Sequence, residues 1–263
     1  MLTAERLKRF APNARADIVQ ALVDGQDQMA AAGITTPLRL QHFLAQISPE
    51  TGGLRVLEEN LRYSAARLQQ VWPKRFPTPA SAQPFVNNPQ ALANKVYGGR
   101  LGNRAADDGW RYRGRGMMQT TGRANYRAAG YEDNPDALAR PDVALSSALR
   151  FWQDNGCNAL ADRDDVTALR KRINGGSNGL DEAKAALAKA KRIFVAAPRQ
   201  SFAAAPDVVV ERGQAVEVAT DAPTVAASPD PITDEHTVSL VQTWLRNIGY
   251  TEVGTANGKI GPY

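Results

Sequence analysis

Residues 36–53 read Thr36-Pro-Leu-Arg-Leu-Gln-His-Phe-Leu-Ala-Gln-Ile-Ser-Pro-Glu-Thr-Gly-Gly53. Apolar side chains recur here at three- and four-residue intervals, which predicts a helix with one apolar face. Thr36 is suited to cap this helix, and the proline that follows suits its first turn. The glycine pair at the other end terminates it. The segment therefore brings one carboxylate, Glu50, to the point where the chain leaves the core. The apolar face consists of Leu40, Phe43, Leu44 and Ile47.

The same periodicity on both sides of this segment predicts a mainly α fold. Residues 3–31 form a helical run that Pro12 divides and Gly33 ends. Strand signals are weak, because only residues 110–119 alternate and their glycines favour an irregular loop over about 97–123. Further helices are predicted near 64–72, 80–96, 135–154, 164–172 and 180–196.

The composition changes after residue 197, and this change predicts three parts. Residues 1–197 form the main body, residues 198–232 have the Pro/Ala/Val-rich composition of a linker, and residues 233–263 form a short further module. Within the linker, residues 208–218 can pair as a short hairpin, and residues 233–250 again show helical spacing. A module of about 31 residues is too short to build its own core.

The composition also excludes several classes of protein. The chain has one cysteine and two histidines, which excludes a disulfide framework, a zinc–cysteine cluster and a histidine-rich metal site. No apolar run approaches the roughly 18–20 residues that span a bilayer, and the N-terminus does not resemble a secretory signal. We therefore expect no metal, no cofactor and no stable membrane insertion, with synthesis in the cytoplasm.

The charge is distributed unevenly. Residues 1–197 hold 28 basic and 19 acidic residues, a net charge of +9, whereas residues 198–263 hold 4 basic and 8 acidic residues, a net charge of −4. A basic body indicates an anionic partner, and nucleic acid, acidic lipid and an anionic cell-wall polymer all qualify. Alternatively, the charge only aids solubility.

Two acidic segments can supply the pair of carboxylates that glycoside hydrolysis requires. Glu50 ends an apolar helix, where partial burial would favour the protonated form that a general acid needs. Glu58 and Glu59 follow in the next segment, and either can face Glu50 across a cleft. As an isolated signal this pair is weak, since most such carboxylates are solvated surface charges.

The central loop reads Gly109-Trp-Arg-Tyr-Arg-Gly-Arg-Gly-Met-Met-Gln-Thr-Thr-Gly-Arg-Ala-Asn-Tyr126. Its rings, guanidinium groups and amides suit sugar binding, and the hydroxyl of Thr121 can hold a water. Arginine–glycine loops with aromatic residues also bind RNA, so both substrates stay open. The turn Ile173-Asn-Gly-Gly-Ser-Asn-Gly179 is either a substrate-facing turn or a glycine-capped helix end. The candidate sugar contacts are Tyr112, Arg115, Gln119, Asn125 and Asn174.

In this order, the acidic segments, the central loop and the turn resemble the family 19 glycoside hydrolases, and most of all their bacteriophage and prophage endolysin branch. The resemblance covers roughly residues 1–197. It implies a mainly α, lysozyme-like domain with a cleft between two lobes. The segments that carry it are Phe43–Gly53, Leu57–Ser64, Tyr112–Arg123 and Ile173–Gly179.

The family pattern implies a role for each matching residue. Glu50 is the general acid, Glu59 rather than Glu58 is the second carboxylate, and Thr121 helps to position the water. Gln119 and Asn174 match sugar-binding positions. The family inverts the anomeric centre, which makes Glu59 the base and requires carboxyl groups about 6.5–9.5 Å apart. The family's histidine before the acid is Pro49 here, and a proline removes one helix hydrogen bond.

Residues 238–250 and 257–262 resemble the first half of a peptidoglycan-binding module. We therefore expect a monomeric endolysin-type muramidase that cleaves β-1,4 bonds of bacterial peptidoglycan rather than nucleic acid, and that reaches the wall in the periplasm after holin-type release. The alternatives are a chitinase using the same residues, a non-catalytic wall- or nucleic-acid-binding protein, and a lytic transglycosylase.

Overall fold

The computed structural model of the protein describes residues 2–195, so the predicted linker, hairpin and C-terminal module lie outside the described residues. Within this range the chain forms helices, turns and two isolated β-bridges, and the mainly α prediction is confirmed. The helices are α1 (Ala4–Phe10), α2 (Ala16–Asp24), α3 (Gln26–Ala31), α4 (Pro37–Glu50), α5 (Ala65–Val71), α6 (Pro79–Ala82), α7 (Pro89–Tyr97), α8 (Asp108–Arg111), α9 (Arg123–Ala129), α10 (Pro141–Asp154), α11 (Cys157–Asp162), α12 (Val166–Asn174) and α13 (Leu180–Ile193), with 3₁₀ turns at Gln83–Phe85 and Pro135–Ala139.

Helix α4 is the central helix of the larger part of the molecule. The hydroxyl of Thr36 accepts a hydrogen bond from the backbone N–H of Arg39, and Pro37 occupies the first turn, as the sequence predicts. Helix α13 packs along α4, and α11 and α12 contact it as well. Phe43 is fully buried and meets the edge of Trp152 from α10 with ring centroids 5.4 Å apart. Burial of each such side chain stabilises the fold by about 1.5–3 kcal/mol.

The buried apolar residues of the described part form two main hydrophobic cores and a small third cluster around Tyr112. The larger core surrounds α4 and takes residues from the N-terminal helices and from α10–α13. The smaller core forms around α5–α7, with Trp72, Phe76 and Tyr97 fully buried. Two cores are what a two-lobed domain requires, and they agree with the lysozyme-like architecture of the predicted family.

Several predicted helices are shorter than the periodicity indicated. The run 80–96 is interrupted by the 3₁₀ turn Gln83–Phe85 and by Pro89, which begins α7, and the run 135–154 divides before Pro141. The run 16–31 breaks at Gly25, where an added Cβ would lie 2.2 Å from Cδ2 of Leu145. The absence of a side chain at Gly25 therefore lets α10 approach the N-terminal helices closely.

Three helices were not predicted: the four-residue α8, which lies within the predicted loop, and the longer α9 and α11. The reason is clearest for α9 and α11. They have 7 and 6 residues, too few for a repeating apolar pattern to show. Both follow a glycine with positive φ, Gly122 and Gly156, which redirects the chain at their N-termini. Among the described residues, no helix has the length and apolar character needed to cross a membrane.

Candidate active site

Glu50 is the last residue of α4, and its side chain is nearly buried. Nη2 of Arg170 lies 2.7 Å from its Oε1. Arg170 comes from α12, is fully buried, and donates from Nε to the carbonyl of Asn178 at 2.7 Å. The sequence led us to expect partial burial of Glu50 at the end of an apolar helix, and the side chain is indeed buried there. The sequence did not indicate the buried cation that lies against its carboxyl group and fixes its position.

Pro49 lies inside α4 without ending it. The next turn is closed by Thr51, whose backbone N–H and hydroxyl both donate to the carbonyl of Ile47, at 3.1 Å and 2.7 Å. Gly52 and Gly53 then adopt φ values of 60° and 76°, which turns the chain away from the helix. The proline that replaces the family histidine therefore leaves Glu50, the predicted acid, at the helix end.

Glu50 opens onto a cavity of about 450 Å³, within the range of about 300–1,000 Å³ that is typical of ligand sites. Four other predicted site residues line the same cavity: Gln119, Thr121, Asn125 and Asn174. They come from residues 119–125 and from the end of α12, so with Glu50 of α4 three distant sequence segments converge there. With Glu50 included, five of the eight predicted site residues therefore line one cavity.

The turn at 115–121 shapes one wall of the cavity. Arg115 and Thr120 exchange backbone hydrogen bonds of 3.1 Å and 2.8 Å, and Gln119 adopts a φ of 48°. The hydroxyl of Thr121 donates to the carbonyl of Gln119 at 3.0 Å. Because its proton is used in this way, the hydroxyl oxygen keeps its lone pairs to accept a hydrogen bond from a water.

Glu59 lies on the other side of that turn. Arg115 forms one isolated β-bridge with Glu58 and another with Thr120, so three short segments lie side by side with Arg115 in the middle. Glu59 follows the bridge residue of one outer segment, and Thr121 follows that of the other. The backbone N–H of Gly114 donates to Oε1 of Glu59 at 2.5 Å, and the hydroxyl of Tyr97 donates to Oε2 at 2.9 Å. Glu59 is not among the residues that line the cavity of Glu50.

Burial raises the pKa of Glu59 from 4.5 to about 7, although the hydrogen bonds from Gly114 and Tyr97 and the charge of Arg113 act in the opposite direction. A carboxylate with a pKa near the working pH is well suited to accept a proton, since both of its forms are then accessible. This environment fits the predicted base.

Glu58, the neighbouring candidate, has a different environment. Its Oε2 accepts hydrogen bonds of 2.9 Å from both Arg113 and Arg115. The carboxylate of Glu58 is therefore held by two arginines of the central loop and stabilises that loop. This role agrees with the choice of Glu59 as the second carboxylate.

Two predicted sugar contacts, Tyr112 and Arg115, need correction. Arg115 is fully buried, and its guanidinium binds the carboxylates of Glu58 at 2.9 Å and Asp136 at 2.5 Å. These two ion pairs occupy the guanidinium and hold the loop together. Tyr112 is 1% exposed and packs against Tyr126 with ring centroids 5.4 Å apart. Neither side chain reaches the cavity, and both stabilise the loop that carries Gln119 and Thr121.

The arginines of the loop are mostly neutralised within the protein. Arg123 and Arg127 both bind Glu132, and these pairs lower the pKa of Glu132 to about 2. Arg113 stacks over the ring of Trp110 at 3.7 Å in addition to its bond to Glu58. These arginines therefore mainly stabilise the loop and do not form a free anion-binding surface.

Sequence reasoning missed Arg170 and Tyr97, which hold the two carboxylates. For Arg170 a signal existed. It precedes Asn174 by one helical turn, so both residues lie on one face of α12. Tyr97 gave no such signal, because its position at the end of α7 is equally typical of an ordinary core residue.

Comparison with known proteins agrees with this geometry. The chain is 36% identical over 189 residues to a Haemophilus influenzae protein described as a glycosyl hydrolase family 19 domain-containing protein, and the match covers 69% of this chain and 92% of the relative. The protein is thus a glycoside hydrolase. It belongs to glycosyl hydrolase family 19.

Solved structures with a similar course of the chain include chitinase C from Streptomyces griseus HUT6037, with 20% identity, a TM-score of 0.49, and coverage of 73% of this chain and 76% of that one. A bacterial family 19 chitinase aligns with 20% identity, a TM-score of 0.42, and coverage of 73% and 93%. No family model matches the chain.

Proposed function

We propose that the protein is an endolysin-type muramidase that hydrolyses β-1,4 glycosidic bonds of bacterial peptidoglycan. The observation that carries the proposal is the shared cavity, in which a fixed carboxyl group, Glu50, meets the hydroxyl of Thr121 and the amides of Gln119 and Asn174. A carboxyl group beside sugar-binding amides is the arrangement that glycosidic bond cleavage needs.

The proposed mechanism uses two carboxyl groups and one water. Glu50 gives its proton to the glycosidic oxygen as the bond to the anomeric carbon breaks. Water attacks that carbon from the opposite face, and Glu59 takes the water's proton while Thr121 orients the water. This inverting route requires a separation of about 6.5–9.5 Å between the carboxyl groups. The raised pKa of Glu59, about 7, supports its assignment as the base near neutral pH.

The charge of the body favours peptidoglycan over chitin. Residues 1–197 carry 28 basic against 19 acidic residues, and peptidoglycan carries carboxylates on its peptides whereas chitin is neutral. Attraction between a basic enzyme and an anionic polymer raises the rate of encounter and falls with ionic strength.

Mass spectrometry of the products tests the proposal. Purified peptidoglycan and N-acetylglucosamine oligomers are digested in parallel by the wild type and by Glu50→Gln. We expect muropeptides with new reducing ends from the wild type alone, and the masses of the two products of each cut should sum to that of the glycan plus one water. Products with 1,6-anhydro ends would identify a lytic transglycosylase, and cleavage of the oligomers without cleavage of peptidoglycan would identify a chitinase. Full activity of Glu50→Gln would overturn the assignment of the acid.

A further inference from the structure

The cavity that holds Glu50 has a second wall with a different chemistry. Away from the amides of Gln119 and Asn174, it is lined by residues of α9 and α10. Small or apolar side chains form most of this wall, and two charged residues stand at its edge. These residues are Ala128, Ala129, Ser147, Phe151, Arg150 and Asp154.

Arg150 is the notable member of this wall. Its side chain is 64% exposed, and its ion pair with Asp154 is long, at 3.6 Å. The pair between Arg39 and Asp162, by contrast, is 2.6 Å long. An exposed pair of this length contributes little to stability, so exchange of Asp154 for a ligand carboxylate costs little.

A neutral polymer of N-acetylglucosamine gives Arg150 and Asp154 nothing of opposite charge to bind. The stem peptide of peptidoglycan carries carboxylates and an amino group, and it branches from the glycan beside the bonds that a muramidase cuts. The planar guanidinium of arginine binds carboxylates through two parallel hydrogen bonds. The ring of Phe151 and the two alanines leave a shallow apolar surface suited to alanine methyl groups of such a peptide.

We propose that the α9–α10 wall is a subsite for the stem peptide of the wall glycan, in which Arg150 binds a peptide carboxylate. This inference rests on the proposed function. The cavity is then asymmetric. The amides of Gln119, Asn125 and Asn174 face the sugar, and the α9–α10 wall faces the peptide.

The test compares three soluble substrates: glycan chains that retain their stem peptides, the same chains after removal of the peptides by an amidase, and N-acetylglucosamine oligomers. The variants are Arg150→Gln and, as a matched control, Arg140→Gln. Arg140 precedes the same helix, is 67% exposed and pairs with Asp142, but does not line the cavity. Thermal melts verify that both variants remain folded.

We expect Arg150→Gln to lower kcat/KM on peptide-bearing chains by about ten- to a hundredfold, mainly through KM, because a hydrogen-bonded charge pair is lost. On stripped chains and on the oligomers it should equal the wild type, and Arg140→Gln should equal the wild type throughout. An equal loss on stripped chains would overturn the inference, since Arg150 would then contact the glycan or its lactyl carboxylate. No loss on any substrate would also overturn it, although wild-type cleavage of peptidoglycan would leave the proposed function standing. A wild type inactive on both peptidoglycan substrates would overturn the two together.

Discussion

Arg170 binds Glu50 across the interior of the protein, with Nη2 of the guanidinium 2.7 Å from Oε1 of the carboxylate. The pair joins the end of α4 to α12, and through the bond from Arg170 to Asn178 it also reaches the turn after α12. Asn174, the predicted sugar contact, donates to the same carbonyl of Asn178 at 2.9 Å, so this residue and the proposed acid are tied to one buried network.

Replacement of one member of this pair should destabilise the fold more than replacement of both. Arg170→Gln leaves the carboxylate of Glu50 buried without its cation, and we expect a loss of about 3–5 kcal/mol in the free energy of unfolding. In the double variant Glu50→Gln/Arg170→Gln no unpaired charge is buried, so the loss should be smaller than for Arg170→Gln alone. Urea denaturation at neutral pH measures both values. Losses that simply add would show that the two groups do not interact.

The adjacent residues Glu58 and Glu59 should separate stability from activity. Glu59→Gln removes the proposed base, and we expect kcat to fall by about 10²–10⁴ with little change in KM. Glu58→Gln should lower the melting temperature, because the fully buried Arg115 then keeps only Asp136 as an anionic partner. Its activity should remain within about tenfold of the wild type. The reverse pattern, an inactive Glu58→Gln and an active Glu59→Gln, would reassign the second carboxylate.

Tyr97→Phe should move the pH profile of kcat/KM. The hydroxyl of Tyr97 donates to Glu59 at 2.9 Å and lowers the pKa of Glu59, which burial raises to about 7. A base must be deprotonated to work, so activity rises as pH increases through about 7. Without the hydroxyl the pKa rises further, and the rising limb should shift to higher pH while the maximal rate changes little. An unshifted limb with a lower maximum would show that Tyr97 affects something other than the protonation of Glu59.

The parts of the site that the sequence made predictable are those encoded by local pattern. The helix that carries Glu50 was evident from its cap, its apolar period and its terminal glycines, and the structure places it at 37–50. Gln119, Thr121, Asn125 and Asn174 were assigned from chemistry and motif, and the structure brings them to one cavity.

What could not be predicted depends on tertiary packing. The residues of the central loop look alike in sequence, yet Arg115 is buried whereas Gln119 lines the cavity. That difference arises because Arg115 is paired on both sides, with residue 58 and with residue 120. Such pairing joins segments 57 residues apart, and no periodicity in the sequence encodes it.

Pro49→Ala should be well tolerated. Alanine restores the backbone N–H that the proline lacks in the last turn of α4, and it favours a helix intrinsically. We expect the free energy of unfolding to stay equal or rise slightly, since the regained helix hydrogen bond offsets the greater freedom of the unfolded chain. Because Arg170 and not the proline fixes Glu50, kcat should stay within about twofold of the wild type. A large fall in kcat with unchanged stability would show that the proline sets the direction of the acid.

Glu59 should also make stability depend on pH. Its pKa in the folded protein is about 7, above the ordinary 4.5, so between these values the folded state holds a proton that the unfolded state has lost. The free energy of unfolding therefore falls as pH rises through this window and levels off above about 7. Glu59→Gln removes the titrating group, so its melting temperature should exceed that of the wild type at pH 8 by more than at pH 4. Melts of both proteins across this range measure the effect, and a constant difference at every pH would contradict it. The same change should gain stability at the expense of activity, because the buried carboxylate that destabilises the fold above about pH 7 is also the proposed base.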